Sequence, residues 1–146
     1  MITPHQTLLK YWGYSKFRPL QEEIINSILV NNDTLALLPT GGGKSICFQV
    51  PALLKEGICI VISPLVALMK DQVSNLKAKN IKAIGIYSGM SIKEIDIALD
   101  NCIYGNVKFL YVSPERLNSE LFKVRVQKMN VNIIAVDEAH CISQWG

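Results

Sequence analysis

Short apolar runs broken by turn residues set the rhythm of this chain. Residues 34–38, 58–62, 83–86, 108–112 and 133–136 are brief, largely apolar stretches, the pattern of strands buried on both faces in a parallel sheet. Between them the spacing turns helical over 45–54, over 65–79, with Leu65, Leu68, Gln72 and Leu76 on one stripe, and over 91–102. Strand and helix alternate. That order predicts right-handed βαβ crossovers and a doubly wound α/β sandwich, in which ligands sit at the carboxyl ends of the strands. Ahead of the sheet, 3–11 and 19–29 read as two helices, the second with Pro19 in its first turn.

Composition narrows the class without naming a chemistry. The 146 residues are 49% hydrophobic, enough for one domain with a packed core. The apolar runs fall far short of the roughly 20 residues that cross a bilayer, and the opening MITPHQTLLKYWGY shows no secretory signal. A cytoplasmic protein with no membrane partner is expected. Cys47, Cys59, Cys102 and Cys141 are widely spaced with no CxxC pair, so they read as reduced, mostly buried thiols. A net charge of +3 permits nucleic-acid binding but does not select it. The last residues, Gln144-Trp145-Gly146, resemble neither a helix cap nor a tail, so the chain is expected to stop in mid-domain.

The first candidate site follows the run at 34–38. Leu38-Pro39-Thr40-Gly41-Gly42-Gly43-Lys44-Ser45 leads directly into a helical segment, the strand-loop-helix setting of a phosphate-binding P-loop. Glycines let backbone N–H groups close on phosphate oxygens, and the helix adds its positive N-terminal end. Lys44 would reach the β and γ phosphates of ATP, and Ser45 would offer its hydroxyl to Mg2+. The leading glycine of the usual motif is Leu38 here. The plain structural alternative is a glycine-rich turn with one solvated lysine.

The second site closes the run at 133–136. Asp137-Glu138-Ala139-His140 places two adjacent carboxylates at a strand's carboxyl end, a Walker B arrangement. Asp137 would hold Mg2+; Glu138, on the other face of the extended chain, would orient and activate the attacking water. An Asp-Glu pair after a strand also serves as a helix start, but a P-loop earlier in the same chain favours the catalytic reading. No Asn-Lys-x-Asp guanine signature follows, which speaks against GTPases.

With both motifs in place, the chain resembles the superfamily-two helicases, and in detail the RecQ family of DNA helicases, from end to end. Gly13-Tyr14 and Phe17-Arg18-Pro19-Leu20-Gln21 are similar to that family's adenine-recognising segment. The resemblance implies that Gln21 reads the adenine edge while Tyr14 and Arg18 pack on the base; an aromatic and arginine cap on the core is the alternative. The segment from Val61 to Gln72, with Ser63-Pro64-Leu65-Val66-Ala67-Leu68-Met69-Lys70 at its centre, resembles a motif that touches the single-strand backbone, where Ser63 caps the following helix and Lys70 adds charge; plain core packing is the alternative for most of it. Ser113-Pro114-Glu115-Arg116 is similar to a second strand-contacting segment, although Arg116 could equally pair with a carboxylate. His140-Cys141-Ile142-Ser143-Gln144-Trp145-Gly146 resembles the opening of the family's aromatic-rich coupling loop. There Trp145 would stack on an unpaired base, with His140 linking it to the carboxylates and Gln144 in the same coupling loop; a core aromatic is the alternative for Trp145.

The resemblance therefore implies an ATP-dependent DNA helicase of DNA repair and recombination. It would use ATP and Mg2+ to translocate 3′ to 5′ along single-stranded DNA and to unwind partly duplex DNA. Residues 1–30 would form an N-terminal helical, adenine-recognising segment, and 31–146 the first RecA-like lobe, incomplete at its end. A second RecA-like lobe of the full-length protein would supply an arginine for the transferring phosphate, so the 146-residue chain alone is expected to be nearly inactive. An RNA helicase of the same superfamily and a non-catalytic ATP-sensing module remain open alternatives.

Overall fold

The computed structural model describes residues 2–38 and 43–138, which fall into two compact units, 1–56 and 57–146. In the first unit, helix α1 (Pro4–Trp12) begins at a reciprocal cap. Thr3 Oγ1 accepts the Gln6 N–H at 3.2 Å while Gln6 Oε1 accepts the Thr3 N–H at 2.8 Å. Helix α2 (Gln21–Leu29) starts two residues later than the pattern suggests. Pro19 lies before it, in a turn closed by Gln21 N–H donating to Arg18 O at 3.1 Å, with Leu20 at φ 73°. That left-handed leucine interrupts helical phase until Gln21. Helix α3 (Lys44–Leu54) completes the unit, and Leu8, Ile25, Ile46 and Val50 close its core against Trp12, Phe17, Leu29 and Leu54.

Residues 34–38, expected as the first strand, form no strand. Leu35 and Leu37 are exposed, and Thr34 is held locally, its Oγ1 2.8 Å from Ser27 Oγ and 3.0 Å from Asn32 O. A strand exists only as a member of a ladder, and no ladder among the described residues includes this segment.

The second unit is a four-stranded parallel sheet in the order β2-β3-β1-β4, built from β1 (Ile58–Ile62), β2 (Ala83–Ile86), β3 (Phe109–Val112) and β4 (Val131–Val136). Ile60 pairs with Leu110 on one side and Ile134 on the other, and Ile84 with Leu110. The chain enters β1 through Gly57 at φ 102°, where a Cβ would lie 2.2 Å from Asn130 O. That carbonyl accepts the Ile58 N–H at 2.8 Å, so the close approach requires glycine.

Helices cover both faces of this sheet, the doubly wound arrangement that alternating elements predict. On one face Ile60, Ile62, Ile86, Leu110 and Val112 pack against Ile95, Leu99 and Cys102 of α5 (Ile92–Tyr104) and Phe122 of α6 (Glu120–Val126). On the other, α4 (Val66–Ala78) lies against β2, with Met69 Sδ 3.4 Å from the Cβ position of Gly85. The buried stripe of α4 is Met69, Val73 and Leu76, whereas Leu65 and Leu68 are exposed. Of the expected stripe Leu76 is buried and Gln72 half-buried, whereas Leu65 stands outside the helix, extended at φ −106°. A short 3-10 helix (Pro114–Asn118) and α6, both absent from the sequence pattern, link β3 to β4.

Candidate functional site

Gly43 begins the phosphate-loop candidate, in the first unit. It stands at φ 75°, ψ 40° immediately before α3, and no side chain caps that helix. The first backbone N–H groups of α3, with Lys44 exposed and Ser45 half-buried beside them, form the kind of helix start that attracts anions. Beneath lies a polar support. Gln21 is 2% exposed; its Nε2 donates to Gly43 O at 3.1 Å and its Oε1 accepts the Arg18 N–H at 2.8 Å. A Cβ on Gly43 would meet Gln21 Nε2 at 2.5 Å. The Cys47 thiol also points its S–H at Gly43 O, 4.0 Å away, and burial pushes that thiol up to about 11, keeping it a donor.

These contacts show what the sequence left out. The amide of Gln21 is used inside the protein, tying the turn at Arg18-Pro19-Leu20 to the start of α3. Tyr14 and Arg18 are exposed on the same unit. Pro39, Thr40, Gly41 and Gly42 lie outside the described residues. The buried support from Cys47 carries no motif and was legible only as an apolar-face position on a predicted helix.

The carboxylate pair, in the second unit, follows β4. Asp137 N–H donates to Ile62 O at 2.9 Å, carrying the parallel ladder one residue past the strand. Glu138 then turns to φ 55°, and its N–H donates to Asp137 Oδ1 at 3.0 Å. The expectation that the two carboxylates alternate across an extended chain is corrected here, because the backbone leaves the extended region at Glu138. Both residues are half-buried. A serine hydroxyl and an aspartate carboxylate are the hard oxygen donors that Mg2+ takes, so Ser45 and Asp137 suit that ion by donor chemistry. His140, Gln144 and Trp145, like Cys141, lie outside the described residues.

A third group occupies the carboxyl ends of β1, β2 and β3. Buried Ser63 extends the ladder, its N–H donating to Val112 O at 3.0 Å. It does not cap α4: Pro64 intervenes, Leu65 is the N-cap, and Ser63 Oγ accepts the Leu65 N–H at 3.4 Å. Ser113 N–H donates to Ile86 O at 3.2 Å, and its buried Oγ has no hydrogen-bond partner among the described residues. Arg116 pairs with no carboxylate within the described residues; its Nη2 donates to Tyr87 O at 3.3 Å. Lys70 Nζ lies 4.7 Å over the Tyr87 ring. Tyr87 went unread in the sequence, although it directly follows a strand-like run, the position where ligand-facing residues collect.

Comparison with known proteins fits this geometry. The sequence pattern of the DEAD/DEAH box helicase family matches residues 18–146. The chain is 49% identical to the ATP-dependent DNA helicase RecQ of Bacillus subtilis, covering 100% of this chain and 25% of that protein. It is 44% identical to the RecQ of Haemophilus influenzae, covering 99% and 23%. For the RecQ of Synechocystis the identity is 47%, covering 97% and 30%. The chain thus spans about a quarter of the length of these curated relatives. In fold it is similar to a hypothetical ATP-dependent RNA helicase of Sulfolobus tokodaii, with TM-score 0.74 at 21% identity over 99% of this chain and 43% of that one. A yeast DEAD-box splicing factor gives TM-score 0.69 at 20% identity over 97% and 36%. These two likenesses show the RecA-like fold.

Proposed function

The chain belongs to the DEAD/DEAH box helicase family, and on that premise we propose that its full-length protein is an ATP-dependent DNA helicase of the RecQ type. It hydrolyses ATP to translocate along single-stranded DNA in the 3′ to 5′ direction and to unwind partly duplex DNA in repair and recombination. The observation that carries this reading is the start of α3, where a left-handed glycine and an uncapped helix end present Lys44 and Ser45. The whole-chain likeness to three RecQ helicases supports DNA over RNA as the track.

Each role follows from the chemistry of the residue. Backbone N–H groups of Thr40, Gly41, Gly42 and Gly43 donate to the phosphate oxygens of ATP in a loop that Pro39 opens, and Lys44 binds the β and γ phosphates. Tyr14 and Arg18 pack on the adenine, and Gln21 reads its edge by exchanging the Gly43 O and Arg18 N–H contacts of its buried amide for the base. Glu138 orients the attacking water and takes its proton. Ser45 and Asp137 would hold Mg2+, which would supply charge neutralisation at the reacting phosphates. Ser63, Pro64, Lys70, Ser113 and Arg116 line the strand's path, and His140, Gln144 and Trp145 couple it to hydrolysis.

Residues 1–30 act as the base-reading segment and 31–146 as the first RecA-like lobe. A second lobe of the full-length protein supplies the arginine that completes the phosphate site, so the 146-residue chain by itself turns ATP over slowly. No described helix is long and apolar enough to cross a membrane, in keeping with action on DNA inside the cell. Glu138→Gln in the full-length protein tests the assignment. It should keep nucleotide binding while hydrolysis and unwinding fall by about a hundredfold or more; retained turnover would remove Glu138 from the role.

A further inference from the structure

Resting on the DNA reading above, we infer that Tyr87 is a positioning residue for Lys70, holding its ammonium ready to meet a phosphate of the single strand. Tyr87 follows β2 at the carboxyl edge of the sheet and is fixed from three directions. Its ring packs over the bare backbone of Gly85, whose Cβ position lies 3.6 Å from both Cδ1 and Cε1. Its carbonyl accepts Arg116 Nη2 at 3.3 Å. Lys70 Nζ sits 4.7 Å from the ring centroid. The ring is half-buried, whereas Lys70, Ser88 and Gly89 are exposed, so a rigid aromatic face meets a cation that water and a ligand can reach.

The arrangement answers a physical problem. A lysine in solvent samples many rotamers and loses that freedom when it fixes a phosphate. A ring beneath the ammonium narrows the population in advance and leaves the three donors unspent, since the attraction is to the ring face rather than to an acceptor. Buried Ser63 and Ser113 border the same edge, and the unpartnered Oγ of Ser113 adds a polar group there. Arg116 acts in the same sense at one remove, by clamping the Tyr87 backbone.

The test is the salt dependence of single-strand binding by the full-length protein, read by anisotropy of a labelled oligothymidylate without nucleotide. Lys70→Ala should weaken binding severalfold and lower the slope of log affinity against log salt by about one. Tyr87→Leu should weaken binding about two- to fivefold, the factor an exposed cation–π contact supports. It should add nothing in a Lys70→Ala background, and Tyr87→Phe should bind like wild type. Tyr87→Met gives the same readout if the leucine variant does not fold. The inference is overturned if the Tyr87 variants bind as tightly as wild type, or if their effect is undiminished when Lys70 is already gone. Absence of salt-dependent binding by the wild-type protein would instead overturn the DNA reading, and this inference with it.

Discussion

Gly43 answers to two constraints at once, and both can be measured. Its φ of 75° costs a residue with a Cβ about 1–2 kcal/mol, and a methyl group there would displace the Gln21 amide, whose Nε2 lies 2.5 Å from the Cβ position. Gly43→Ala should therefore retain the fold but lose nucleotide affinity by about tenfold or more, read by titration with a fluorescent ATP analogue. Unchanged affinity would mean that the Gln21 support does not shape the loop. At this scale the sequence was informative where a motif fixes residue type. Lys44, Ser45, Asp137 and Glu138 stand at the ends of elements as their spacing implies. It was silent where a role depends on a long-range neighbour. The Gln21 link to Gly43 spans 22 positions, and Arg116 meets the Tyr87 carbonyl across 29; neither distance leaves a pattern in the chain.

Among the elements, the strands of the second unit and the helices between them follow from apolar run and period, because burial on both faces enforces both. Residues 34–38 show the limit. Their apolar composition reads as a strand, but strand formation needs a partner that composition does not name. In α4 the expected stripe and the buried one share Leu76 and part at the N-terminal end, where the helix starts only after Pro64 and an extended Leu65. The link between α5 and α6 was invisible beforehand. Arg125 of α6 donates to the Asp100 carboxylate at 2.6 Å and also pairs with the Asp96 carboxylate, bracing two helices on one sheet face. Both carboxylates are about half exposed, so Arg125→Ala should cost only roughly 1 kcal/mol. Hydrogen exchange should quicken selectively in α6; a uniform change across the second unit would contradict a local brace.

For the molecule as a whole, the thiols give a stability signature. Burial pushes Cys59 and Cys102 up to about 12 and Cys47 to about 11, from an ordinary 9.0. Groups whose folded values are raised contribute stability that is fully present below the unfolded value. It is lost as pH rises through the folded ones. Chemical denaturation should thus show these contributions intact below about pH 9 and fading from there toward 12, and the slope should shrink in Cys59→Ala. An unchanged slope would mean that the thiol is not buried as described. The central claim concerns a motor, and its most direct test is ATP hydrolysis by the full-length protein and its Lys44→Ala variant, with and without single-stranded DNA. Single-stranded DNA should raise wild-type turnover, more than RNA of equal length does, while Lys44→Ala stays near background in every condition. Turnover indifferent to DNA, or surviving the loss of Lys44, would contradict a helicase built on this phosphate loop.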